Sequence, residues 1–221
     1  MGCQSSGRRT FGYRVSMKFV FTDFDGTITS KDTFGPFMLE WIKKEKKYMY
    51  LVHYFTLGIL TKIGIIDVKK FKKISFYYLF KGSKYSELKS FSQIFFTKFI
   101  KKNYNVDILT ELSKYQKQKY QIVIITSNLK FIVEPFSAYY GFKLCAVQPE
   151  EKNGILTGKI SQDFYSGEKK LILARQFAGN DNLANCIAFG DEEGDRFLLN
   201  SVGQSVWVKK GKPLSSFEQN V

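Results

Sequence analysis

The stretch FVFTDFDGTITSKDTF, residues 19–34, sets two acids, Asp23 and Asp25, directly behind the apolar run Phe19-Val20-Phe21. Such a run reads as the end of a buried strand. Carboxylates one residue apart repel, and each tends to raise the other's pKa. A fold keeps the pair only if something compensates, and a bound divalent cation is the usual group. The bland alternative is a polar strand end before a Gly26-Thr27 turn. The choice between the two depends on the rest of the chain.

Working outward, residues 121–125 (Gln-Ile-Val-Ile-Ile), 144–147 and 185–189 read as further short, buried strands. Helical spacing over 131–140 and 168–177 separates them, and 154–160 looks like an inserted hairpin. Strands alternating with helices predict an α/β fold on a parallel sheet. Between Asp32 and Tyr120 the alternation stops, and apolar residues recur at three- and four-residue spacings. That block predicts a helical cap inserted after the first strand, over the carboxyl edge of the sheet, where open α/β folds bind ligands. The expected division is a loose tail over 1–16, a core from 17–31 and 121–221, and a cap over 32–120. Residues 48–66 are nearly continuous in apolar side chains and long enough to span a membrane on length alone. Gly58, Lys62 and Gly64 favour two helices packed inside the cap, with an interfacial helix dipping into lipid as the alternative.

The chain has 221 residues, 44% of them hydrophobic and 17% aromatic, which excludes wholesale disorder and allows a real core. The Phe and Tyr residues lie in apolar periodic runs and read as core rather than as a nucleic-acid stacking surface. Three cysteines, Cys3, Cys145 and Cys186, have no metal-type spacing; the last two sit in apolar runs as reduced thiols. With no apolar leader at the start, a reducing cytoplasmic setting is expected. The opening Met-Gly-Cys-Gln-Ser-Ser fits an N-myristoylation pattern with Cys3 open to palmitate, while Met17 is an alternative start. The formal charge of +14 is concentrated: residues 43–102 carry fifteen Lys against three acids. An anionic substrate or an anionic membrane face next to the cap would explain it, and so would a lysine-rich solvated face. His53, the single histidine, has no acid or cysteine beside it in sequence and reads as a packed cap residue.

Three more segments join Asp23 and Asp25. The strand at 121–125 runs into Thr126-Ser127-Asn128. A turn at Ser166-Gly167 opens a helix bearing Lys169 and Lys170. The strand ending at Phe189 gives way to Gly190-Asp191-Glu192-Glu193-Gly194-Asp195. In a parallel sheet these ends converge on one edge. Acids, a hydroxyl and a lysine gathered there amount to a site for a divalent metal and a phosphate.

Asp-Phe-Asp-Gly-Thr, Ile-Ile-Thr-Ser-Asn, Ser-Gly-Glu-Lys-Lys and Gly-Asp-Glu-Glu-Gly-Asp resemble, in order, the four motifs of the haloacid dehalogenase superfamily. The place of the cap is similar to that in its phosphoserine-phosphatase-like branch. The resemblance spans Met17 to about Lys209 and implies a Rossmann-like core. It implies a phosphatase in which Asp23 is the nucleophile, forming an aspartyl-phosphate, and Asp25 is the acid and base. It implies Mg²⁺ held by the Asp23 carboxylate, the Asp25 backbone carbonyl and Asp191. Thr126 would contact the phosphoryl oxygens, with Ser127 as the alternative. Lys170, three residues after Gly167, would neutralise charge, with Lys169 as the alternative, and Asp195 would support the lysine or the metal.

For the substrate, phosphoserine phosphatase proper departs at Gly26, at Ile28 to Asp32 and at Thr126 to Asn128. Asp32-Thr33-Phe34-Gly35-Pro36-Phe37 and the Phe80-Lys81-Gly82 turn are more similar to the phosphatidylglycerophosphatase C type. That likeness implies a lipid phosphomonoester and peripheral contact with an anionic membrane at its cytoplasmic face. Soluble substrates such as phosphoserine, sugar phosphates or nucleotides stay open. A basic membrane- or nucleic-acid-binding module on a dead scaffold is the reading from another class. The intact acid and lysine set opposes it, and no nucleic-acid motif supports it.

Overall fold

The computed structural model describes residues 17–161, 163–209 and 219–220. The acylation pattern at the start lies outside them. Strand β1 (Phe19–Thr22) is followed by helices α1 (Phe34–Lys44), α2 (Met49–Lys62), α3 (Val68–Phe80), α4 (Tyr85–Lys98) and α5 (Val106–Lys117). Then come β2 (Gln121–Leu129), α6 (Lys130–Tyr140), β3 (Lys143–Val147), β4 (Pro149–Lys152) and β5 (Ile155–Ile160). The chain continues through α7 (Glu168–Ala178), β6 (Ile187–Gly190), the short α8 (Arg196–Leu199), β7 (Gln204–Trp207) and β8 (Gln219–Asn220).

The main sheet has the order β3-β2-β1-β6-β7-β8, parallel throughout except for β8 at one edge. This is the α/β parallel-sheet fold that the alternation predicts. Because side chains alternate across a strand, Phe19 and Phe21 enter one apolar cluster with Leu171, Ala174 and Leu198. Val20, Ile122, Ile124 and Phe189 enter the other, under α6 and the inserted helices. Helix α5, at the end of the insertion, lies on the sheet itself: Ile108 and Leu112 are buried, and the Tyr115 ring sits 6.3 Å from that of Phe189.

Aromatic packing ties the insertion to the core. Phe131, at the start of α6, has ring partners Phe37, Phe76, Phe80 and Tyr85 at 5.4, 6.5, 5.6 and 6.3 Å. Truncating so buried a Phe typically costs about 3–5 kcal/mol. The rings thus act as core, as their periodicity predicts.

The hairpin at 154–160 is wider than its sequence pattern. β5 pairs antiparallel with β4 across a turn in which Asn153 and Gly154 both have positive φ, 52° and 78°. That is the backbone a two-residue hairpin turn needs. β5 leans on the inserted helices: the Gly82 N–H donates to the Leu156 carbonyl at 2.9 Å, and the Leu156 N–H to the Ser83 carbonyl at 2.9 Å.

Residues 48–66 correct the expectation of two buried helices. They form one helix, α2, with Gly58 in its interior, followed by a turn in which Gly64 takes φ +78°. One glycine between Leu57 and Ile59 costs only about 1 kcal/mol of helix propensity, too little to break a helix held by neighbours. Leu57 is the one buried residue of α2. His53 is likewise exposed rather than enclosed, its ring 4.6 Å from Tyr78. Cys186 is buried and Cys145 half-buried, both as free thiols.

Candidate active site

Register brings the carboxyl ends together. Thr22 of β1 is level with Ile124 of β2 and Phe189 of β6, so Asp23, Thr126 and Asp191 emerge on one edge. The Asp23 N–H donates to the Phe189 carbonyl at 3.0 Å, which pins the strand end. The Asp23 side chain is buried, and its Oδ1 lies 3.0 Å from Lys170 Nζ.

Lys170 comes from the first turn of α7, which follows Gly167 at its N-cap with φ +64°, a backbone that favours glycine. Its Nζ donates to Asp195 Oδ1 at 2.6 Å. The other Asp195 oxygen accepts the N–H groups of Asp191 and Glu192 at 3.1 and 3.0 Å. Gly190 makes room for this: a Cβ there would sit 2.5 Å from Asp195 Cβ. Lys169 points elsewhere, pairing with Asp163 at the surface at 2.8 Å. The two lysines left open by sequence are thus separated by burial.

Asp25 is held from two sides. Its Oδ1 accepts from the Thr33 N–H at 2.9 Å and the Thr33 hydroxyl at 2.7 Å, and its Oδ2 from Asn128 Nδ2 at 2.7 Å. Asn128 Nδ2 also donates to Thr33 Oγ1 at 2.8 Å, closing a triangle. Thr126 and Ser127 sit where the pairing of β2 with β3 shifts register. The Ser127 hydroxyl donates to the Tyr165 carbonyl, whereas the Thr126 oxygen accepts from the Asn128 N–H at 3.1 Å and keeps its proton to give.

These groups wall a cavity of about 70 Å³ that holds Asp23, Asp25, Thr126 and Lys170, with Asp32 and Lys72 at the insertion side. Its size suits a phosphoryl group, so the rest of a substrate must extend outward.

Residues 20–200 match the family described as haloacid dehalogenase-like hydrolase. The chain belongs to that family. It is 24% identical over 195 residues to Protein CicA of Caulobacter vibrioides, in two strains, covering 86% of each chain. A protein of unknown function from Bordetella pertussis Tohama I is similar in fold, with a TM-score of 0.73 at 16% identity, over 86% of this chain and 89% of that one. Phosphoserine phosphatase, solved as a phospho-aspartyl intermediate analogue, follows with a TM-score of 0.59 at 16% identity, over 86% and 85%. At such identities the structural likeness speaks for the fold alone.

Within this family member the electrostatics separate the two acids. Burial pushes the Asp25 carboxyl up, and the neighbouring Asp32 adds to it; the Thr33 hydrogen bond and Lys72 pull the other way. Its pKa settles at about 7. Burial also raises Asp23, against the opposing pull of the Lys170 ammonium. For Lys170, burial works against the charge, but the carboxylates of Asp23 and Asp195 outweigh it and hold the ammonium above the ordinary lysine value.

Oxygens of Asp23, Asp191 and Asp195 lie within 4.8 Å of one another, an all-oxygen donor set that fits a hard divalent cation. Both Asp195 oxygens already accept strong donors, which leaves Asp23 and Asp191 as the better ligands. The Thr27 hydroxyl orients Asp191 by donating to its Oδ1 at 2.8 Å.

Four residues escaped the sequence reading as site members, Thr27, Thr33, Asp32 and Lys72, and Asn128 entered it only as an amide donor at the strand end, without its partner. Asn128 had a signal, since it ends the same Thr-Ser-Asn run as Thr126. Lys72, one of many lysines in the insertion, had none.

Proposed function

We propose that the protein is a Mg²⁺-dependent phosphomonoester hydrolase that works through an aspartyl-phosphate on Asp23. The observation that carries this reading is the pair of unlike carboxylates on one small cavity: one beside a buried ammonium, the other poised near neutral pH. An Asp23 oxygen attacks phosphorus as the ester P–O bond breaks, and Asp25 gives its proton to the leaving oxygen. Asp25, now a carboxylate, takes a proton from water, whose oxygen attacks phosphorus and frees Asp23 and phosphate. Lys170 offsets charge on Asp23 and the transferring group, Thr126 donates to a phosphoryl oxygen, and Asp195 positions Lys170. Asp23, Asp191 and the Asp25 backbone carbonyl would hold Mg²⁺, which would neutralise phosphoryl charge.

For the substrate we favour a lipid phosphate such as phosphatidylglycerophosphate, met at an anionic membrane face. The lysine-rich insertion and the Asp32-to-Phe37 pattern support it. A soluble amine-bearing phosphomonoester such as phosphoserine is the second reading, favoured by Asp32, a carboxylate at the cavity wall able to accept a substrate ammonium. The test is phosphate release from p-nitrophenyl phosphate, a lipid phosphate in detergent micelles, phosphoserine, sugar phosphates and nucleotides, each with Mg²⁺ and with excess chelator. Mg²⁺-dependent release is expected, fastest from the lipid. Full activity in chelator would end the metal reading, and preference for phosphoserine would move the substrate to the second one.

A further inference from the structure

We propose that the outer face of α2 and the turn after it form a docking surface for an anionic lipid bilayer, holding the catalytic cavity at the headgroups. This deepens the lipid-phosphate reading and rests on it for what the cavity does at the membrane.

Helix α2 is apolar on both sides. Inward, Tyr50, Leu51 and Tyr54 pack against the core cluster and Leu57 is buried. Outward, Met49, Val52, Phe55 and Ile59 are 86, 71, 56 and 62% exposed. At 3.6 residues per turn these four share one side of the helix, and Ile63 extends the stripe. Past the helix end, Ile63, Ile65 and Val68 remain 61, 66 and 56% exposed. A water-facing helix ordinarily turns polar residues outward. An exposed apolar stripe of this kind, interrupted on that side by Thr56, marks a place where something else binds.

Charge selects the occupant. Between residues 43 and 73 the chain carries nine lysines. Lys43, Lys44 and Lys73 pair with Glu40, Glu45 and Asp163, and Lys72 lines the cavity. Lys46, Lys62, Lys69 and Lys70 are exposed, against the one further acid, Asp67. A second copy of the chain would press one basic surface on another. An anionic bilayer satisfies both features, taking the apolar side chains into the acyl boundary and the lysines among the headgroups. No described helix is long and apolar enough to cross a membrane, so the contact is one of lying on the surface.

The same helix reaches the site. A Cβ on Gly35 would lie 3.1 Å from the Tyr54 hydroxyl and 3.3 Å from an Asp32 carboxylate oxygen, so the inner face of α2 abuts the Asp32 that lines the cavity. Helix α3, which follows the exposed turn, supplies Lys72 to the same cavity. A bilayer under α2 is therefore about one helix diameter, roughly 10 Å, from the cavity wall that Asp32 and Lys72 form.

The experiment is co-sedimentation of the full chain with vesicles of phosphatidylcholine alone and of phosphatidylcholine mixed with phosphatidylglycerol. Val52→Glu/Ile59→Glu is the variant, and p-nitrophenyl phosphate turnover checks its fold and site. The wild type should bind the mixed vesicles, less so as salt rises. The variant should lose at least about tenfold in binding, because two inserted apolar groups become anions facing anionic lipid. Its soluble turnover should be unchanged. Equal sedimentation with both vesicle types, none with either, or a variant that binds like wild type would overturn the proposal. So would a wild-type dimer in size-exclusion chromatography that the variant abolishes, which would assign the face to a second copy. A lipid phosphate in detergent separates the two readings. Its hydrolysis without vesicle binding removes the docking surface and keeps the substrate; vesicle binding without its hydrolysis does the reverse.

Discussion

Replacing Lys170 by Met probes the balance on which the site is built. The ammonium lies 3.0 Å from Asp23 and 2.6 Å from Asp195, with all three side chains less than a tenth exposed. Methionine keeps the length and apolar stem but leaves two buried carboxylates facing each other. Removing one partner of a buried ion pair costs about 3–5 kcal/mol. In a chain of this size that corresponds to a melting point lower by roughly 6–20 °C. The loss should depend on pH. Without the lysine, burial raises the folded-state pKa of Asp23 further above its unfolded value. A carboxyl raised in this way is bound to its proton on folding, so the folded variant loses stability as pH rises above the ordinary carboxylate range. Lys170 itself, raised in the folded state, contributes its stability at every pH below the ordinary lysine value, and so adds no slope of its own here. Thermal denaturation in chelator should show a smaller deficit against wild type near about pH 5 than near about pH 8. Turnover of p-nitrophenyl phosphate should fall about 10²–10³-fold through lost charge stabilisation. Lys169→Met, at a surface pair, is the control and should change neither. Equal deficits at both pH values, or none, would show that Lys170 does not compensate buried carboxylates.

Asp23→Asn should fold normally and lose turnover, since an amide keeps the shape without the nucleophile; activity above about one per cent of wild type would remove Asp23 from its role. Asp25→Asn should also be crippled, and a near-normal rate would deny it acid and base work. With Asp25 at about pKa 7, kcat/KM should fall above neutral pH as the acid is lost. Asp32→Asn removes a like charge and should move that limb to lower pH, and an unmoved limb would mean another group sets it. Gly190→Ala should drive Asp195 off Lys170, because the new Cβ would stand 2.5 Å from Asp195 Cβ. A stability loss of about 1–3 kcal/mol with reduced turnover is expected, and a variant with wild-type melting and rates would refute the close approach.

By itself the sequence determined what is local along the chain. Three of the four site motifs are a short apolar strand followed within a few residues by its acid or hydroxyl, so Asp23, Asp25, Thr126 and Asp191 are carried to one edge by the parallel sheet that the same strands predict. Lys169 and Lys170 are neighbours with the same chemistry, and only burial against Asp23 and Asp195 tells them apart. Thr33 and Asn128 lie 95 positions apart, and their clamp on Asp25 exists only once β2 stands beside β1. The arm Pro149–Lys152 has no strand pattern of its own; it is extended because the exposed N–H and carbonyl groups of β5 need a partner. Residues 48–66 carry apolar side chains on every side of the helix, broken by His53, Thr56, Thr61 and Lys62, so their pattern carries only a weak inward or outward mark. Tertiary packing chose the Tyr50, Tyr54 and Leu57 side for the core and left Met49, Val52, Phe55 and Ile59 outside, because a helix has one face to give to one core.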